Sequence, residues 1–592
     1  MIATALRGAL RSGYGSHDLR ADVMAALVVG IVALPLSMAL AIASGVAPQH
    51  GLYTAIVAGL LIPLLGGSHV QVSGPTAAFV VILAPIASRF GVAGLLLATV
   101  MAGVLLVALG LARAGGFIEF VPYPVTTGFT AGIAVVIGTL QLKDFLGLTV
   151  ARMPDHFVER LQAMLEALPT ARWPDMLVGA ATLAVLLSWP RRWGRRVPAP
   201  LVALAVGALA AAALARALAG FDVATIATRF NYEAGGALHG GIPRQPPLPL
   251  LPWALPGPGG APLHVTFDLV RALVPSAFAI AILGAIESLL SAVVADGMTG
   301  RQHDPDAELV AQGIGNIVAP FFGGIAATGA IARTATAVRS GARSPLAGAL
   351  HAVVVLAAVL AAAPLLGRLP MASLAALLLV VAWNMSDSKH VAHLLRAAPR
   401  SDAAVLLVCF GLTVIFDMVV SVTAGVVIAA LLFMRRMAEV SGVRLVGDHH
   451  PQLAEPLPRG VVLYEVAGPL FFGAAQKALS VLRAVEGRPV RVVVLDVENV
   501  PAIDATGLVA LESLVARLNE AGVKVVLVGV AGQPLRALAR AGWRNRKGRL
   551  RIFRSFDRGI AVARATAAAY LEAAAPASSA GPSVSEEGTP PG

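Results

Sequence analysis

The sequence predicts a polytopic α-helical membrane protein followed by a small cytoplasmic α/β domain. Three observations carry this. Of 592 residues 57% are hydrophobic and 13% charged, with a mean hydropathy of +0.79, whereas soluble chains average about 25% charged. Apolar runs such as 345–366 and 400–434 are too long to be hidden in a soluble core. After Arg436 the pattern changes to short strands alternating with helical stretches. The lone cysteine, Cys409, sits in an apolar run and excludes a disulfide framework or a cysteine-based metal site. The net charge of +12 comes from arginines clustered in short loops, which the positive-inside rule explains without a nucleic-acid partner.

Residues 1–23, with Arg7, Arg11, Arg20 and Asp22, read as a cytoplasmic arm without a signal-peptide layout. Apolar segments follow at 24–43, 52–66, 75–88, 93–111, 119–141, 175–190, 199–218, 273–295, 306–322, 328–338, 345–366, 370–384, 400–418 and 420–436. Several fall short of the roughly 20 residues that cross a bilayer. Counted as numbered, inside loops collect Arg113, Arg191, Arg192, Arg195, Arg196, Arg301, Arg339, Arg343, Lys389, Arg396, Arg400, Arg435 and Arg436, against few outside, among them Arg89, Lys143 and Arg368. That asymmetry predicts an even number of segments, with both termini in the cytoplasm. Residues 144–174 are expected to hold a short helix, and 219–272 form a Gly/Pro-rich loop. Glu119, Lys143, Asp144 and Asp296 lie near segment ends, and Arg339 and Arg343 at the cytoplasmic rim.

The transport domain thus spans 24–436, with a linker at 437–459 containing the pair His449 and His450. The α/β domain occupies 460–575, with strands at 461–466, 491–497 and 523–530 and helices at 473–487, 506–521, 532–541 and 556–573. Residues 576–592, rich in Ser, Pro, Gly and Glu, form a disordered tail.

Two short segments carry the chemistry. Residues 72–88 begin after a small-residue and proline break, and 328–338 do the same in the second half. Short interrupted segments at matching positions of two halves mark the binding site of inverted-repeat transporters. A helix starting at mid-membrane presents unpaired N–H groups and the positive end of its dipole, which attract an anion. The first start lies at Ser73, Gly74, Pro75 and Thr76, and the second at Thr328, Gly329, Ala330 and Ile331. Arg333, about one turn in, supplies a full positive charge. The alternative is an Arg333–Glu287 pair that merely ties two helices together. Glu287, surrounded by apolar and small residues, is costly as a carboxylate and suited to taking up a proton. Na⁺ beside it is the other reading, with hydroxyl help from Ser288 or from Ser291 one turn on. No phosphate-binding loop or metal cluster is present in the sequence, and no cofactor or enzymatic activity is expected.

LPLSMALAIASGVAPQHGLYTA (34–55), VSGPTAAFVVILA (72–84), GAIESLLSAVVADGMTG (284–300) and GAIARTATAVRSGARSP (329–345) resemble signature stretches of one family. It is the sulfate-permease family of anion transporters, SulP in bacteria, related to the solute carrier 26 proteins of animals. QLKDFLGL and VAWNMS look like its bacterial C4-dicarboxylate members. The resemblance implies fourteen membrane segments in two inverted halves of seven, a core and a gate domain, and half-helices at segments three and ten. It places Thr76, Ala330, Ile331 and Arg333 at the substrate pocket, and Glu287 and Ser291 at positions associated with cation coupling. Ala326 departs from the proline common in that stretch and leaves the loop before the second short helix less stiff. The C-terminal region resembles a STAS domain, through VPAIDATGL (500–508). There Thr506 matches a serine phosphorylated in related regulators, although Asp504 and Thr506 also read as a plain helix start. The resemblance further implies a homodimer and a cytoplasmic protein partner for the STAS domain.

The sequence reading is therefore proton symport of a small dicarboxylate (succinate, fumarate, malate or aspartate) by a multi-pass protein of the bacterial inner membrane, in contact with lipid. The alternatives are a sulfate or bicarbonate transporter coupled to protons or sodium, and, in another class, an anion channel or a membrane-bound regulator.

Overall fold

Each apolar stretch read from the sequence has a helix over most of its described residues. The structure, a computed structural model, describes residues 2–118, 122–150, 154, 157–190, 197–234, 236–257, 260–416, 418–440, 442–446, 450, 452–453, 455–471, 489–546 and 549–574. Glu119, the arginines at 191–196, His449, the expected helix at 473–487 and the tail at 576–592 lie outside these residues. The chain divides into two units, Met1–Ala429 and Ala430–Gly592.

In the first unit, α1 (Thr4–Arg11), α2 (Ser16–Ala43) and α3 (Pro48–Leu65) lead to the two-residue strand β1 (Ser73–Gly74). Then come α4 (Ala77–Leu111), α5 (Tyr123–Phe145), α6 (Trp173–Ser188) and α7 (Ala199–Ala217). The second half holds α8 (Phe267–Thr299), α9 (Pro305–Val318), β2 (Thr328–Gly329), α10 (Ile331–Arg339), α11 (Pro345–Leu366), α12 (Met371–Ser386), α13 (Ser388–Ala397), α14 (Arg400–Ile415) and α15 (Met418–Val440). Among the described residues, eight helices are long and apolar enough to cross a membrane.

The helix starts follow local chemistry. Pro305 and Pro345 sit in the first turns of α9 and α11, where a missing N–H costs nothing, while Asp304 and Ser344 cap those helices through Ala307 N and Leu346 N. α4 is two helices joined at Gly91, whose φ of 68° and whose approach to Gly257 leave no room for a side chain. The sequence segments 75–88 and 93–111 lie on either side of that break. Small residues let α4 and α9 touch at the backbone: a Cβ on Gly103 would stand 2.7 Å from Gly313 O. Such close approach is how helices associate where lipid removes the hydrophobic drive between them.

Two features depart from the sequence reading. The first long helix starts at Ser16, ahead of the apolar stretch at 24–43. Asp22, assigned to the arm, is fully buried and accepts bonds from Arg343 N (2.6 Å), Ser344 N (3.2 Å), Ser344 Oγ (2.5 Å) and Tyr14 Oη (2.8 Å). A carboxylate among basic neighbours reads as a surface group, and three of its four bonds come from Arg343 and Ser344, more than three hundred residues away, with Tyr14 as the nearby donor. The second departure is a hairpin, Asn231–Ala234 with Ala237–Gly240, inside the Gly/Pro-rich insertion. The short helix expected in the earlier insertion is present at Phe157–Glu166.

The second unit has a sheet of β3 (Gly442–Val446), β4 (Val461–Ala467), β5 (Val492–Asp496), β6 (Lys524–Val528) and β7 (Leu550–Ile552), in that order. The first pair is antiparallel and the others parallel. β3 occupies part of what the sequence reading took for linker. Alternate residues of the central strands feed two cores. Val493 and Leu495 pack with Leu511, Leu514 and Leu538 of α16 (Ala505–Glu520) and α17 (Gly532–Arg540). Val492 and Val494 pack with Phe556, Ile560 and Ala563 of α18 (Phe556–Ala574). His450 stacks on Phe556 at 4.6 Å, with its Nε2 3.4 Å from Asp496, whose carboxyl burial pushes up.

Candidate functional site

The two helix starts meet. β1 and β2 pair antiparallel, with Ser73 opposite Gly329 and Gly74 opposite Thr328. Ala330 N continues the ribbon by donating to Val72 O at 2.9 Å. α4 and α10 thus leave opposite strands of one main-chain ribbon, and their first-turn N–H groups flank it. Thr76 and Ala330 are the respective N-cap residues, and neither side chain bonds back to its own helix. Thr76 Oγ1 instead donates to Glu287 Oε2 at 2.8 Å, linking the first helix start to α8.

Arg333 is buried, with 2% of its surface exposed. Its Nη2 donates to Pro75 O at 2.5 Å across the ribbon. Nε and Nη1 are buried without a protein partner among the described residues. The guanidinium therefore bonds the backbone of the opposite helix start rather than the Glu287 carboxylate, and the Arg333–Glu287 tie is not formed. Both bidentate edges of a guanidinium include Nη2, whose second N–H together with the Nε or Nη1 hydrogen completes a fork that suits a planar or tetrahedral oxyanion.

Gly74 makes room for that fork. A Cβ there would stand 2.7 Å from Arg333 Nη1 and 3.2 Å from Nη2. Gly74→Ala is expected to push the guanidinium off its position at an overpacking cost of about 1–3 kcal/mol, lowering anion affinity about tenfold or more. A binding titration on protein with unchanged circular dichroism checks this.

The hydroxyls around the ribbon have structural partners. Ser288 Oγ lies 2.7 Å from Thr328 Oγ1 and accepts from Gly329 N at 3.1 Å. Ser291 Oγ donates to Thr334 Oγ1 at 3.1 Å, and Thr334 Oγ1 accepts from Val72 N at 3.1 Å. Both serines thus brace the second helix start from α8, rather than bonding the Glu287 carboxylate. Ile331 is 42% exposed. Asp504 and Thr506 lie in the second unit, where Asp504 Oδ1 caps α16 through Gly507 N at 2.7 Å and Thr506 is exposed.

A buried polar stripe behind the ribbon escaped the sequence reading. Glu308, Gln312 and Asn316 follow one another at helical spacing along α9 and are all buried. Glu308 Oε2 accepts from Gly67 N (3.1 Å) and Ser68 N (3.2 Å), and Oε1 from Gln71 Nε2 and Gln312 Nε2 (3.0 Å each). Gln312 Nε2 also reaches Ser73 Oγ at 3.3 Å. Asn316 clamps Ala327 through both its N–H and its carbonyl, at 2.8 and 2.9 Å. Gln71 lies so close to Gly329 that a Cβ there would meet its Nε2 at 2.0 Å. The stripe thus holds both strands of the ribbon from below. The signal was present in the sequence as three polar residues four apart, but it was hidden inside a segment judged on hydropathy alone. His351, also buried, packs against Gly59 beneath Ser73 and bonds Gly348 O.

Comparison with known proteins gives a consistent picture. Residues 19–409 match the sulfate permease family, and residues 455–557 match the STAS domain. The chain is 40% identical over 546 residues to a putative sulfate transporter, YvdB, of Bacillus subtilis, covering 92% of this chain and 98% of that protein. It is 30% identical over 540 residues to the bicarbonate transporter BicA of Synechocystis, covering 88% and 90%. Among solved structures, the transmembrane domain of a cyanobacterial BicA matches with a TM-score of 0.59 at 28% identity, over 70% of this chain and 98% of that one. The inward-facing murine solute carrier 26 family member A9 matches in fold, with a TM-score of 0.81 at 19% identity over 95% and 94%.

Proposed function

We infer that this chain, which belongs to the sulfate permease family, moves a small oxyanion of the sulfate or bicarbonate class on the Arg333 fork between its two helix starts. It is a multi-pass membrane protein that works by secondary anion transport, without enzymatic chemistry. The observation that carries the oxyanion reading is Arg333: buried, bonded to Pro75 O through one nitrogen, with Nε and Nη1 left for a ligand. The dipoles of α4 and α10 add partial positive charge at the same place.

The dicarboxylate read from the sequence finds no counterpart in the relatives above, which are described as sulfate and bicarbonate transporters. One buried arginine also matches a single oxyanion head better than two separated carboxylates. In our reading the fourteen apolar stretches form two inverted halves of seven. A core built around the ribbon slides past a fixed gate, with both termini in the cytoplasm of a bacterial inner membrane. A homodimer, and a protein partner for the STAS domain, belong to the same reading.

Glu287 couples transport to protons in this scheme. Its carboxylate touches the first helix start through Thr76, so gain or loss of a proton is felt at the anion site. Purified protein in proteoliposomes, scanned with labelled sulfate, bicarbonate and succinate across pH and Na⁺ gradients, tests the assignment. Sulfate or bicarbonate uptake is expected; uptake of succinate alone would overturn the substrate class. Glu287→Gln is expected to abolish accumulation driven by a pH gradient while counterflow persists. Intact accumulation in that variant, or strict dependence on Na⁺, would remove the proton role.

A further inference from the structure

We propose that α13 is an interfacial helix that binds anionic phospholipid headgroups of the cytoplasmic leaflet through Lys389, His393 and Arg396. The helix, SKHVAHLLRA, follows α12 after a sharp turn at Asp387, whose φ is 36°. At about 3.6 residues per turn, Lys389, His393 and Arg396 fall on one face, while Val391, Leu394 and Leu395 fall on the opposite one. All three basic positions are exposed, whereas Val391 and Leu394 are half-buried. Among the described residues Lys389 and Arg396 pair with no carboxylate. Arg400, which opens α14, is exposed as well and adds to the same cluster of positive charge.

A helix of this kind, apolar on one side and basic on the other, lies in the plane of the membrane surface, with its long cationic side chains reaching the phosphates. Two large aromatic residues fix the depth. Trp383, near the end of α12, is 71% exposed, and Tyr123, at the start of α5, is 57% exposed. Aromatic rings of this sort collect at the headgroup level. Tyr123 Oη lies 2.8 Å from His390 Nε2 and so ties the start of α5 to α13 at that level. The excess of Lys and Arg in this loop places it on the cytoplasmic side, where anionic lipid supplies the complementary charge.

This proposal is independent of which anion Arg333 holds. It is tested by native mass spectrometry of the full chain released from mixed micelles of phosphatidylglycerol and phosphatidylcholine. The expected result is preferential retention of phosphatidylglycerol. Each Lys or Arg near a charged surface contributes about fivefold, so the K389Q/R396Q variant should lose roughly 25-fold of that preference. The charge-retaining K389R/R396K variant should keep it, which separates loss of charge from misfolding. Soluble glycerol phosphate should not displace the lipid. Equal retention of both lipids by the unaltered protein, unchanged preference in K389Q/R396Q, or displacement by glycerol phosphate would overturn the proposal.

Discussion

Arg333→Ala is expected to cut anion affinity sharply, and Arg333→Met to do so while leaving the unliganded protein no less stable. Truncating one member of a buried, hydrogen-bonded charge pair costs about 2–5 kcal/mol, a loss of roughly 30-fold to several thousand-fold in affinity. The unliganded state behaves differently. There the guanidinium is buried with Pro75 O as its bonded partner and two nitrogens without protein partners among the described residues, and a buried cation so thinly supported costs stability. Replacing it with Met, which fills similar space without charge, should hold or raise the melting temperature and erase the shift that substrate produces. Arg333→Lys keeps the charge but loses the planar fork, and should bind weakly rather than not at all. Melting curves with and without anion, beside a binding titration, read all three. Unchanged affinity in the alanine variant would remove Arg333 from the site and leave it a purely structural group.

Glu308→Gln should be severely damaging although the side chain touches no substrate. Four N–H groups converge on its carboxylate, two from backbone and two from side-chain amides. An acceptor with no donor of its own is needed there, and the ionised carboxylate is one. Glutamine presents an amino group to two of the four donors. Each buried donor left facing it costs about 1–3 kcal/mol. The expected outcome is a large fall in melting temperature, together with loss of transport, because Gln71 and Gln312 would release the ribbon that Arg333 spans. Glu308→Ala should fall further. A glutamine variant that melts and transports like the parent would show that the stripe on α9 plays no part in holding the helix starts.

How much of this was legible in the sequence depends on distance along the chain. The helices were legible because apolar runs bounded by Pro, Gly and charge are local signals, and the α/β unit because strand and helix periods differ. The two helix starts were legible as breaks at Gly74–Pro75 and Thr328–Gly329, and Arg333 because a charge in an apolar stretch stands out. Their register was not legible, since pairing Ser73 with Gly329 joins points far apart in sequence. Asp22 and Glu308 were missed for the same reason: what makes each tolerable is a set of donors supplied by remote segments. For Ser288 and Ser291 helical spacing fixes a face of α8 and not what that face meets, which in the structure includes Thr328, Gly329 and Thr334. β3 was lost to the linker because a single edge strand of five residues carries little pattern.

The ribbon joining the two helix starts is built from main-chain bonds between Ser73–Gly74 and Thr328–Gly329. Bonds of that kind are made by backbone, so as long as the glycines and the α9 stripe behind them stay in place, the spacing between the two positive helix ends does not depend on the side chains that overlook it. Discrimination among anions must then be written in the few side chains that overlook the ribbon, Thr76, Ile331 and Arg333 among them. A lineage carrying this scaffold is free to trade one cargo for another by a handful of point substitutions, with no rebuilding of the cradle that holds them.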